Sequence, residues 1–365
     1  MVTAEYTEAA SQEQKALVMQ DMLIPTMLVG SYPQPDWLVD RDVLLGSGPP
    51  RVRMKNVWRP APEVLEAEMK RAVAGVVEDQ ERAGLSIFGD GEVRRESYFN
   101  HFATALGGID IENPGEVPGR TGKPTLVPRV VGPITRPAPV QVTEVSVLRK
   151  LTGRPIKVTL PGPFTMAKMA KDEHYGDQEA LINAYANVVN KEIQDLVAAG
   201  ADIVQIDEPH LQAHPKEANC YGVNGINKAL AGAGVPTVVH MCFGYAYVVK
   251  DKPSGYSFLP ELDACDATAI SIEAAQPDLD PAILAELPSK KIIFGGISMG
   301  SEEVETPERV AERLRGALKY IPAERLMAAP DCGVKYLPGG VALGKLKALE
   351  AGAALVRREV GLRSS

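Results

Sequence analysis

Cysteine is scarce in this chain: among 365 residues there are only four, Cys220, Cys242, Cys265 and Cys332. Disulfide frameworks are typical of small secreted domains, so in a chain of this length we expect cysteines to serve metal binding or catalysis. A single cysteine also behaves as a small buried hydrophobe. For Cys220 and Cys265 that second explanation is as good as the first.

The sequence also lacks long apolar runs and an excess of basic residues. No run reaches the roughly 18 residues of a membrane span, and residues 1–21 have neither the positively charged start nor the apolar core of a secretory signal. The net charge is −8, with both signs mixed along the chain, so the basic stripe of a nucleic-acid-binding protein is missing. We therefore expect a cytoplasmic protein that binds neither membranes nor nucleic acids.

What the sequence does contain is a recurring pattern of short apolar runs. Hydrophobic residues make up 45% of the chain and charged residues 24%, values typical of a globular protein with a large core. Near-continuous apolar runs, each followed by Gly, Pro or an acidic residue, are typical of parallel strands that are buried on both faces. Eight strands are predicted, at 26–30, 85–89, 156–161, 202–206, 236–242, 267–273, 291–297 and 325–330.

Helical patterns separate most of these strands. Apolar residues at spacings of three and four, bounded by Pro and Gly, predict long helices. They lie at 62–84, 177–200, 306–321 and 339–360. Thr306 is the expected N-cap of the third helix, with Pro307 at its first helical position. Residues 1–22 read as a polar N-terminal arm, in which 11–22 has a helical pattern.

The alternation of strand and helix predicts an α/β fold, a (β/α)8 TIM barrel in which residues 23–365 form a single domain. A doubly wound parallel sheet is the alternative. Three connections are long, 31–61, 92–155 and 243–265, and the last has only a weak helical pattern. The stretch TLVPRVVGPI in the second predicts an inserted hairpin. Long loops are usually functional, so we expect them at the C-terminal face of the barrel.

Polar residues follow nearly every predicted strand, and in such a barrel the active site lies at the carboxyl ends of the strands. In strand order these residues are Ser31, then Asp90 and Glu92, then Asp207, Glu208 and His210, then His240 and Cys242, then Glu273, and finally Asp331 and Cys332. We expect these side chains to meet at one mouth of the barrel.

The stretch VVHMC, residues 238–242, carries the sharpest of these signals. Side chains alternate across a strand, so His240 and Cys242 face the same way. That spacing alone is a weak signal, but Glu273 and Cys332 at other strand ends strengthen it, and the four together suit Zn²⁺. The alternatives are a solvated strand-end carboxylate for Glu273 and a packed thiol for Cys332.

This ligand set also indicates the kind of zinc chemistry. Four protein ligands usually mark a structural zinc, but a barrel mouth lined by carboxylates needs no structural cross-link. Two thiolates and one carboxylate leave Zn²⁺ with a net charge of about −1, which makes it a poor Lewis acid for water. Such an ion still lowers the pKa of an incoming thiol from about 8.5. The pattern therefore favours S-alkylation over hydrolysis.

Motifs along nearly the whole chain, from about residue 23, resemble those of the cobalamin-independent methionine synthase family, in its C-terminal catalytic barrel. They are IPTMLVGSYPQP (24–35), VVGPITRPAPVQV (130–142), VQIDEPHL (204–211), HMC (240–242), SIE (271–273) and IPAERLMAAPDCG (321–333). The resemblance implies a (β/α)8 fold and a zinc ion that activates the homocysteine thiol for methylation. It also implies that the zinc ligands are His240, Cys242, Glu273 and Cys332.

The same resemblance implies residues that bind the substrate. Asp207 in IDEP and Glu92 in DGE correspond to the carboxylates that hold the substrate amino group. Ser31 in GSYPQP corresponds to the main-chain site that receives the substrate carboxylate. The alternative for the two acids is an ion pair at the barrel mouth with one of three arginines, Arg94, Arg95 or Arg136.

Two departures from the family pattern leave the methyl donor open. The chain has no room for the second, N-terminal barrel of the full-length family. The histidine acid that the family carries after strand seven is also missing, because residues 295–305 read GGISMGSEEVE. His210 is a candidate substitute acid. Single-barrel relatives include enzymes that take the methyl group from a corrinoid protein, and epoxyalkane:coenzyme M transferase.

We therefore expect a zinc-dependent thiol alkyltransferase, which methylates homocysteine to methionine. One alternative is the opening of an epoxide by coenzyme M, for which the pair Arg94 and Arg95 offers positive charge to a sulfonate. The other alternative is a non-catalytic zinc- or thiol-binding protein, which would follow if the loop 243–265 plugged the mouth. The donor, whether methylfolate, methylcorrinoid or epoxide, has no assigned binding residues.

Overall fold

The computed structural model of the chain describes residue 19 and residues 22–47, 49–118, 124–244 and 252–364. The strands in these parts of the chain are β1 (Gly107–Pro118), β2 (Pro124–Thr135), β3 (Lys157–Pro161), β4 (Lys171–Asp172), β5 (Ile203–Asp207), β6 (Thr237–Met241), β7 (Ala269–Ile272), β8 (Lys291–Ile297) and β9 (Leu326–Pro330). They form two separate sheets.

The larger sheet has six parallel strands in the order β3-β5-β6-β7-β8-β9. These strands were predicted from the sequence, and each observed boundary lies within two residues of the prediction. The register pairs Asp207 of β5 with His240 of β6, and His240 with Ser271 of β7. The sheet therefore sets residues of three neighbouring strands side by side at its carboxyl edge.

The first two predicted strands, 26–30 and 85–89, occur as isolated parallel bridges. Thr26 pairs with Ala328, Met27 with Ile87, and Phe88 with Ile156. Each segment thus pairs with a neighbour on both sides, over a shorter length than the apolar runs predicted.

Apolar side chains form two separate clusters, one on each face of the strands. The smaller cluster contains Met19, Met27, Val29, Ile87, Ile203, Val238, Ala269, Ile293, Met327 and Ala329. The larger cluster takes the alternate strand residues, such as Ile206, Val239 and Ile270, together with helix residues such as Val73 and Leu346. Burial on both faces explains why the strands read as continuous apolar runs.

Along the chain, α-helices precede, separate and follow the parallel strands. They are Arg41–Ser47, Pro62–Ala83, Asn100–Ala103, Val142–Leu151, Pro163–Lys168, Gln178–Ala198, Pro209–Ala213, Pro215–Glu217, Val223–Leu230, Leu259–Asp263, Pro307–Ala317 and Gly339–Ser364. Short 3₁₀ turns occupy Lys55–Val57, Pro281–Glu286 and Ala323–Arg325, and Ala218–Gly222 is a π turn. Among these described helices, none combines the length and apolar character needed to cross a membrane.

The four long predicted helices are all present. The third ends at Ala317 rather than at 321, and Thr306 caps it as predicted, since its Oγ1 accepts the N–H of Arg309 at 3.2 Å. The weak pattern in 243–265 corresponds, in the described part of that segment, to the short helix Leu259–Asp263. The helical pattern at 11–22 lies almost wholly outside the described residues.

The predicted hairpin is also present. β1 and β2 pair antiparallel, for example at Ile109 and Val130, and β4 joins β2 in parallel to complete the smaller sheet. Most of this sheet is half-buried or exposed, so it extends from the body formed by the parallel strands and helices.

Candidate metal centre and substrate site

Three of the predicted zinc ligands converge at the carboxyl edge of the parallel sheet. His240, Cys242 and Cys332 are buried, and one ligand atom from each lies within 4.8 Å of the others. His240 belongs to β6 and Cys242 follows it on the same face, whereas Cys332 comes from the loop after β9. No other such group occurs in the part of the chain that the structure describes. Cys220 is exposed, Cys265 is buried, and neither belongs to it.

The chemistry of these donors fits a metal ion. Nδ1 of His240 lies 2.9 Å from Oγ of Ser271, whereas its Nε2 is buried and has no hydrogen-bond partner among the described residues. An orphaned buried nitrogen beside two thiols is costly unless a cation takes its lone pair. A hydrogen bond with Cys242, together with burial, raises the pKa of the Cys332 thiol well above its usual range. The sulfur of Cys332 therefore needs a nearby cation to become a thiolate.

Glu273, the predicted fourth ligand, lies close by but does not belong to this group of three. Its side chain is fully buried, so the alternative of a solvated carboxylate is wrong. One carboxylate oxygen accepts the N–H of Phe243 at 3.0 Å, and the other forms an ion pair with Lys252. The ammonium group of Lys252 also donates to the carbonyl of Gly244 at 2.8 Å. The charge of Lys252 therefore balances that of the Glu273 carboxylate.

Tyr256 fixes the ends of the two strands that carry these ligands, although no sequence pattern indicates this role. Its hydroxyl donates to the carbonyl of Met241 at 3.0 Å and accepts the N–H of Glu273 at 2.8 Å. The last paired residues of β6 and β7 are Met241 and Ile272. The hydroxyl of Tyr256 thus bridges the two strands at Glu273, one residue beyond the last backbone pair.

The two predicted amine-binding carboxylates, Asp207 and Glu92, are both buried. Oδ1 of Asp207 accepts a hydrogen bond from Nε2 of Gln205 at 2.7 Å. Burial raises the pKa of Asp207 to about 7; the charge of Glu92 adds to this rise, and the hydrogen bond from Gln205 opposes it. The two acids are therefore close enough for their negative charges to repel, and a cation between them would relieve that repulsion.

Glu92 is held in an unusual conformation. Its φ of 54° lies in the left-handed region, which few residues other than glycine adopt. Oε1 of Glu92 accepts a hydrogen bond from the hydroxyl of Thr159 at 2.8 Å, and the backbone N–H of Glu92 donates to Oδ1 of Asp90 at 3.0 Å. Oε2 is buried and lacks a hydrogen-bond partner among the described residues. An acceptor left unpaired in this way is available to a ligand.

Ser31 lies between the segments that carry Glu92 and Cys332. Its carbonyl accepts the N–H of Val334 at 2.8 Å, and the next residue, Tyr32, donates its N–H to the carbonyl of Gly91 at 2.8 Å. Two backbone hydrogen bonds therefore join the predicted carboxylate-binding segment to the metal side and to the amine side of the site.

The predicted alternative of an arginine ion pair with Asp207 or Glu92 is wrong for all three arginines. Each arginine has other acids within ion-pair distance: Arg94 with Glu66 at 2.9 Å and Glu144 at 3.6 Å, Arg95 with Asp90 at 3.0 Å, and Arg136 with Glu192 at 2.9 Å.

Two other acids at the strand ends have structural partners. The carboxylate of Glu208 accepts the N–H groups of Phe164 at 2.9 Å and Thr165 at 2.7 Å, and so caps the helix Pro163–Lys168. The carboxylate of Asp331 accepts three successive N–H groups in the loop after Glu273, those of residues 274–276. These acids shape the loops around the site.

His210, the candidate substitute acid, is buried in the first turn of the helix Pro209–Ala213. Its N–H donates to Oγ1 of Thr165 at 3.3 Å, and its ring stacks on His214, with ring centroids 5.7 Å apart. His210 thus lies three residues after Asp207 in the sequence, and its ring contacts that of the next histidine, His214.

The fold and site together define an α/β protein with a His-Cys-Cys cluster at the carboxyl ends of parallel strands. Residues 24–354 match the family described as cobalamin-independent synthase, catalytic domain. The chain belongs to the cobalamin-independent methionine synthase family, and the resemblance seen in its motifs is confirmed.

Similar proteins of nearly the same length are known. Methionine synthase of Sulfurisphaera tokodaii is 31% identical over 340 residues, which cover 93% of this chain and 94% of the relative. Methionine synthase of Thermococcus kodakarensis is 30% identical, with 94% and 96% covered. The structure of a B12-independent methionine synthase from Shewanella sp. W3-18-1, in complex with selenomethionine, is 34% identical; 93% of this chain and 99% of that chain are covered, with a TM-score of 0.85.

Proposed function

We propose that this chain is a zinc-dependent methyltransferase that converts homocysteine to methionine. The observation that carries the proposal is the convergence of His240, Cys242 and Cys332 beside two buried acids, Asp207 and Glu92. The similar Shewanella protein, which binds selenomethionine, supports an amino acid with sulfur in its side chain as the ligand.

The fold proposed for this activity is a closed (β/α)8 barrel formed by residues 23–365 as one domain. Three parallel bridges support it, because they continue the pairing from β9 through two short segments to the residue before β3. The apolar cluster on the inner face of these strands, which includes Met27, Ile203 and Ile293, would then be the interior of the barrel.

His240, Cys242 and Cys332 would hold the zinc ion, and Glu273, which lies close by, would complete the set. When bound, zinc would lower the pKa of the substrate thiol and keep the sulfur nucleophilic. Tyr256 and Ser271 would hold the ligands in orientation, through the hydrogen bonds to Glu273 N and to His240 Nδ1.

The remaining residues would bind the amino-acid end of the substrate. Asp207 and Glu92 would accept hydrogen bonds from the ammonium group, and the main chain at Ser31 would receive the carboxylate. Because these groups are buried and fixed by their own hydrogen bonds, they would orient the sulfur for in-line attack on the donor carbon. Orientation of two reactants is worth about 7–11 kcal/mol of an activation barrier.

The alternative substrate, coenzyme M, has a sulfonate in place of the amino group and would need a cationic partner. Arg94 and Arg95 are both buried and each pairs with an acid of the chain itself. An ammonium group suits the neighbouring acids Asp207 and Glu92 better. The geometry therefore favours homocysteine.

The test compares thiols and donors on the zinc-loaded protein. Homocysteine or coenzyme M is incubated with methyltetrahydrofolate, methylcobalamin or epoxypropane, and loss of thiol is followed. We expect homocysteine to be consumed with a methyl donor and methionine to appear. Consumption of coenzyme M with epoxypropane, or of no thiol at all, would contradict the proposal.

A further inference from the structure

A lysine is buried inside the parallel sheet, directly below the proposed amine site. Lys157 is the first residue of β3 and is 4% exposed. Its ammonium group donates to the carbonyl of Val29 at 2.5 Å and to Oε1 of Gln205. Val29 belongs to the inner apolar cluster, so this cation stands at the boundary between apolar interior and polar mouth.

Gln205 links Lys157 to Asp207, because its amide group accepts a hydrogen bond from the first and donates one to the second. An ammonium group has only donors, so the oxygen of the buried amide faces Lys157 and its NH₂ group faces away. That NH₂ group donates to Oδ1 of Asp207 at 2.7 Å and to the carbonyl of Val29 at 3.1 Å. The hydrogen bonds thus run one way, from Lys157 through Gln205 to one oxygen of the carboxylate, which leaves Oδ2 for another donor.

The charge of Lys157 has no direct partner in the described residues, where the polar atoms that contact it are neutral. Burial lowers the pKa of Lys157 to about 8, against the attraction of Asp207, Glu92 and Asp90. An isolated buried cation is expensive for folding, and an apolar side chain of the same length would avoid that cost.

We propose that Lys157 and Gln205 are positioning residues that orient and charge-balance Asp207, and so make the site select thiols that carry an amino group. The inference rests on the proposed function, because it takes Asp207 as a ligand of the substrate ammonium. Asp207 and Glu92 bring two negative charges and Lys157 one positive charge. The charge of Lys157 therefore offsets part of the negative charge of the two acids, and a substrate ammonium would offset more of it.

The test compares two thiols that differ in the amino group alone. Homocysteine and 4-mercaptobutyrate share the thiol, the carboxylate and the carbon chain. Their dissociation constants are measured by calorimetry on zinc-loaded wild-type protein and on Lys157→Met and Gln205→Leu, so no methyl donor is needed. We expect each variant to bind homocysteine about tenfold more weakly, while 4-mercaptobutyrate binding and zinc content stay within about twofold.

Lys290→Met is the matched control. Lys290 is also buried, and its ammonium group donates to the carbonyl of Cys265, near the opposite ends of the strands. This variant should leave the preference for homocysteine unchanged. Gln205→Leu carries no charge change, and it decides the question if Lys157→Met does not fold.

Three results overturn the proposal. Equal weakening of both thiols in the variants would show a structural role only, and unchanged binding of both would show no role. A wild-type protein that binds the two thiols equally would overturn the amine-binding role of Asp207 as well, which distinguishes failure of the proposed function from failure of this inference.

Discussion

Nδ1 of His240 lies 2.9 Å from the hydroxyl of Ser271, the residue directly opposite it on the neighbouring strand. With Nδ1 protonated and donating to this hydroxyl, the lone pair of the ring stays on Nε2, the atom without a hydrogen-bond partner in the described residues. The sheet register thus sets the direction in which the ring of the proposed metal ligand points.

Ser271→Ala should therefore weaken zinc binding about tenfold or more, as loss of the group that orients a metal-bound histidine does in other sites. The hydroxyl is buried, and nothing else among the described residues replaces it. Competition with a chelator of known affinity measures the effect. Ser289→Ala, an exposed serine, is the control. Wild-type affinity in Ser271→Ala would mean that the ring is held by packing alone.

Cys242→Ser and Cys332→Ser should each bind much less than the roughly one zinc ion per chain that we expect of the wild-type protein. Their folds should persist, because the apolar clusters of the strands do not depend on the metal. Metal analysis and circular dichroism provide the two readouts. Cys265→Ser, at a buried cysteine outside the group, should keep its zinc. Full zinc content in both site variants would remove these cysteines from the ligand set.

The sequence predicted the strands and the His-Cys-Cys cluster because both follow from local patterns. Buried parallel strands read as apolar runs, and the residues that follow them meet at one edge of the sheet. His240, Cys242 and Cys332 could therefore be assigned to one site without knowledge of their contacts. The predicted strands 26–30 and 85–89 are longer than the backbone pairing observed there. Apolar character indicates that a segment is buried, but it does not show how many of its residues form backbone hydrogen bonds with a neighbour.

Contacts between distant side chains could not be predicted in the same way. Lys157 and Gln205 are 48 positions apart, and the register of β3 with β5 brings them together. The predicted ion pair between an arginine and Asp207 was wrong for a similar reason. Arg94 pairs instead with Glu66, which lies on a helix 28 positions earlier in the chain. Tyr256 and Lys252 belong to a connection without a regular pattern, so nothing in the sequence indicated their contacts with Glu273.

Asp207→Asn should weaken homocysteine binding about tenfold or more while zinc content is unchanged. The change removes a charge-assisted hydrogen bond to the substrate ammonium, which is worth roughly 1.5–3 kcal/mol. The carboxylate of Asp207 accepts its hydrogen bond from Gln205 and not from the side chain of a proposed metal ligand, so the metal should remain. Calorimetry with homocysteine provides the measurement. Unchanged affinity would favour a thiol without an amino group as the substrate.

His101 should make the fold sensitive to acid. Burial, with repulsion from Arg95 and Arg53, lowers the pKa of His101 from 6.5 to about 4. Between these values the unfolded chain binds a proton that the folded chain does not, so stability falls as the pH drops from 6.5 towards 4. The loss should reach about 2 kcal/mol, allowing for partial exposure of the ring.

His101→Gln removes this titration, so wild type should lose stability relative to the variant as the pH falls through that window. Melting temperatures of both proteins at pH 7.5 and pH 4.5 measure the difference. If the two proteins lose stability in parallel, the imidazole is not the group that titrates.

The methyl donor should be one whose leaving group needs little protonation. Methyltetrahydrofolate is a poor donor until its leaving nitrogen is protonated, and a positioned general acid typically contributes about 10²–10⁴-fold. The segment after β8, residues 298–305, offers serines and glutamates but no histidine, and Glu305 there is engaged by Ser298 N–H and Lys345. We therefore expect methylcobalamin to support turnover with homocysteine, and methyltetrahydrofolate to support little.

His210 is the histidine that follows a strand end closely enough to substitute for the missing acid, and its ring stacks on that of His214. Initial rates with each donor, for wild type and for His210→Asn, decide the question. With methylcobalamin the variant should keep most of the wild-type rate, since no proton is needed at the leaving group. Steady turnover on methyltetrahydrofolate at about 1 s⁻¹ or more, abolished in His210→Asn, would contradict this expectation and assign the acid to His210.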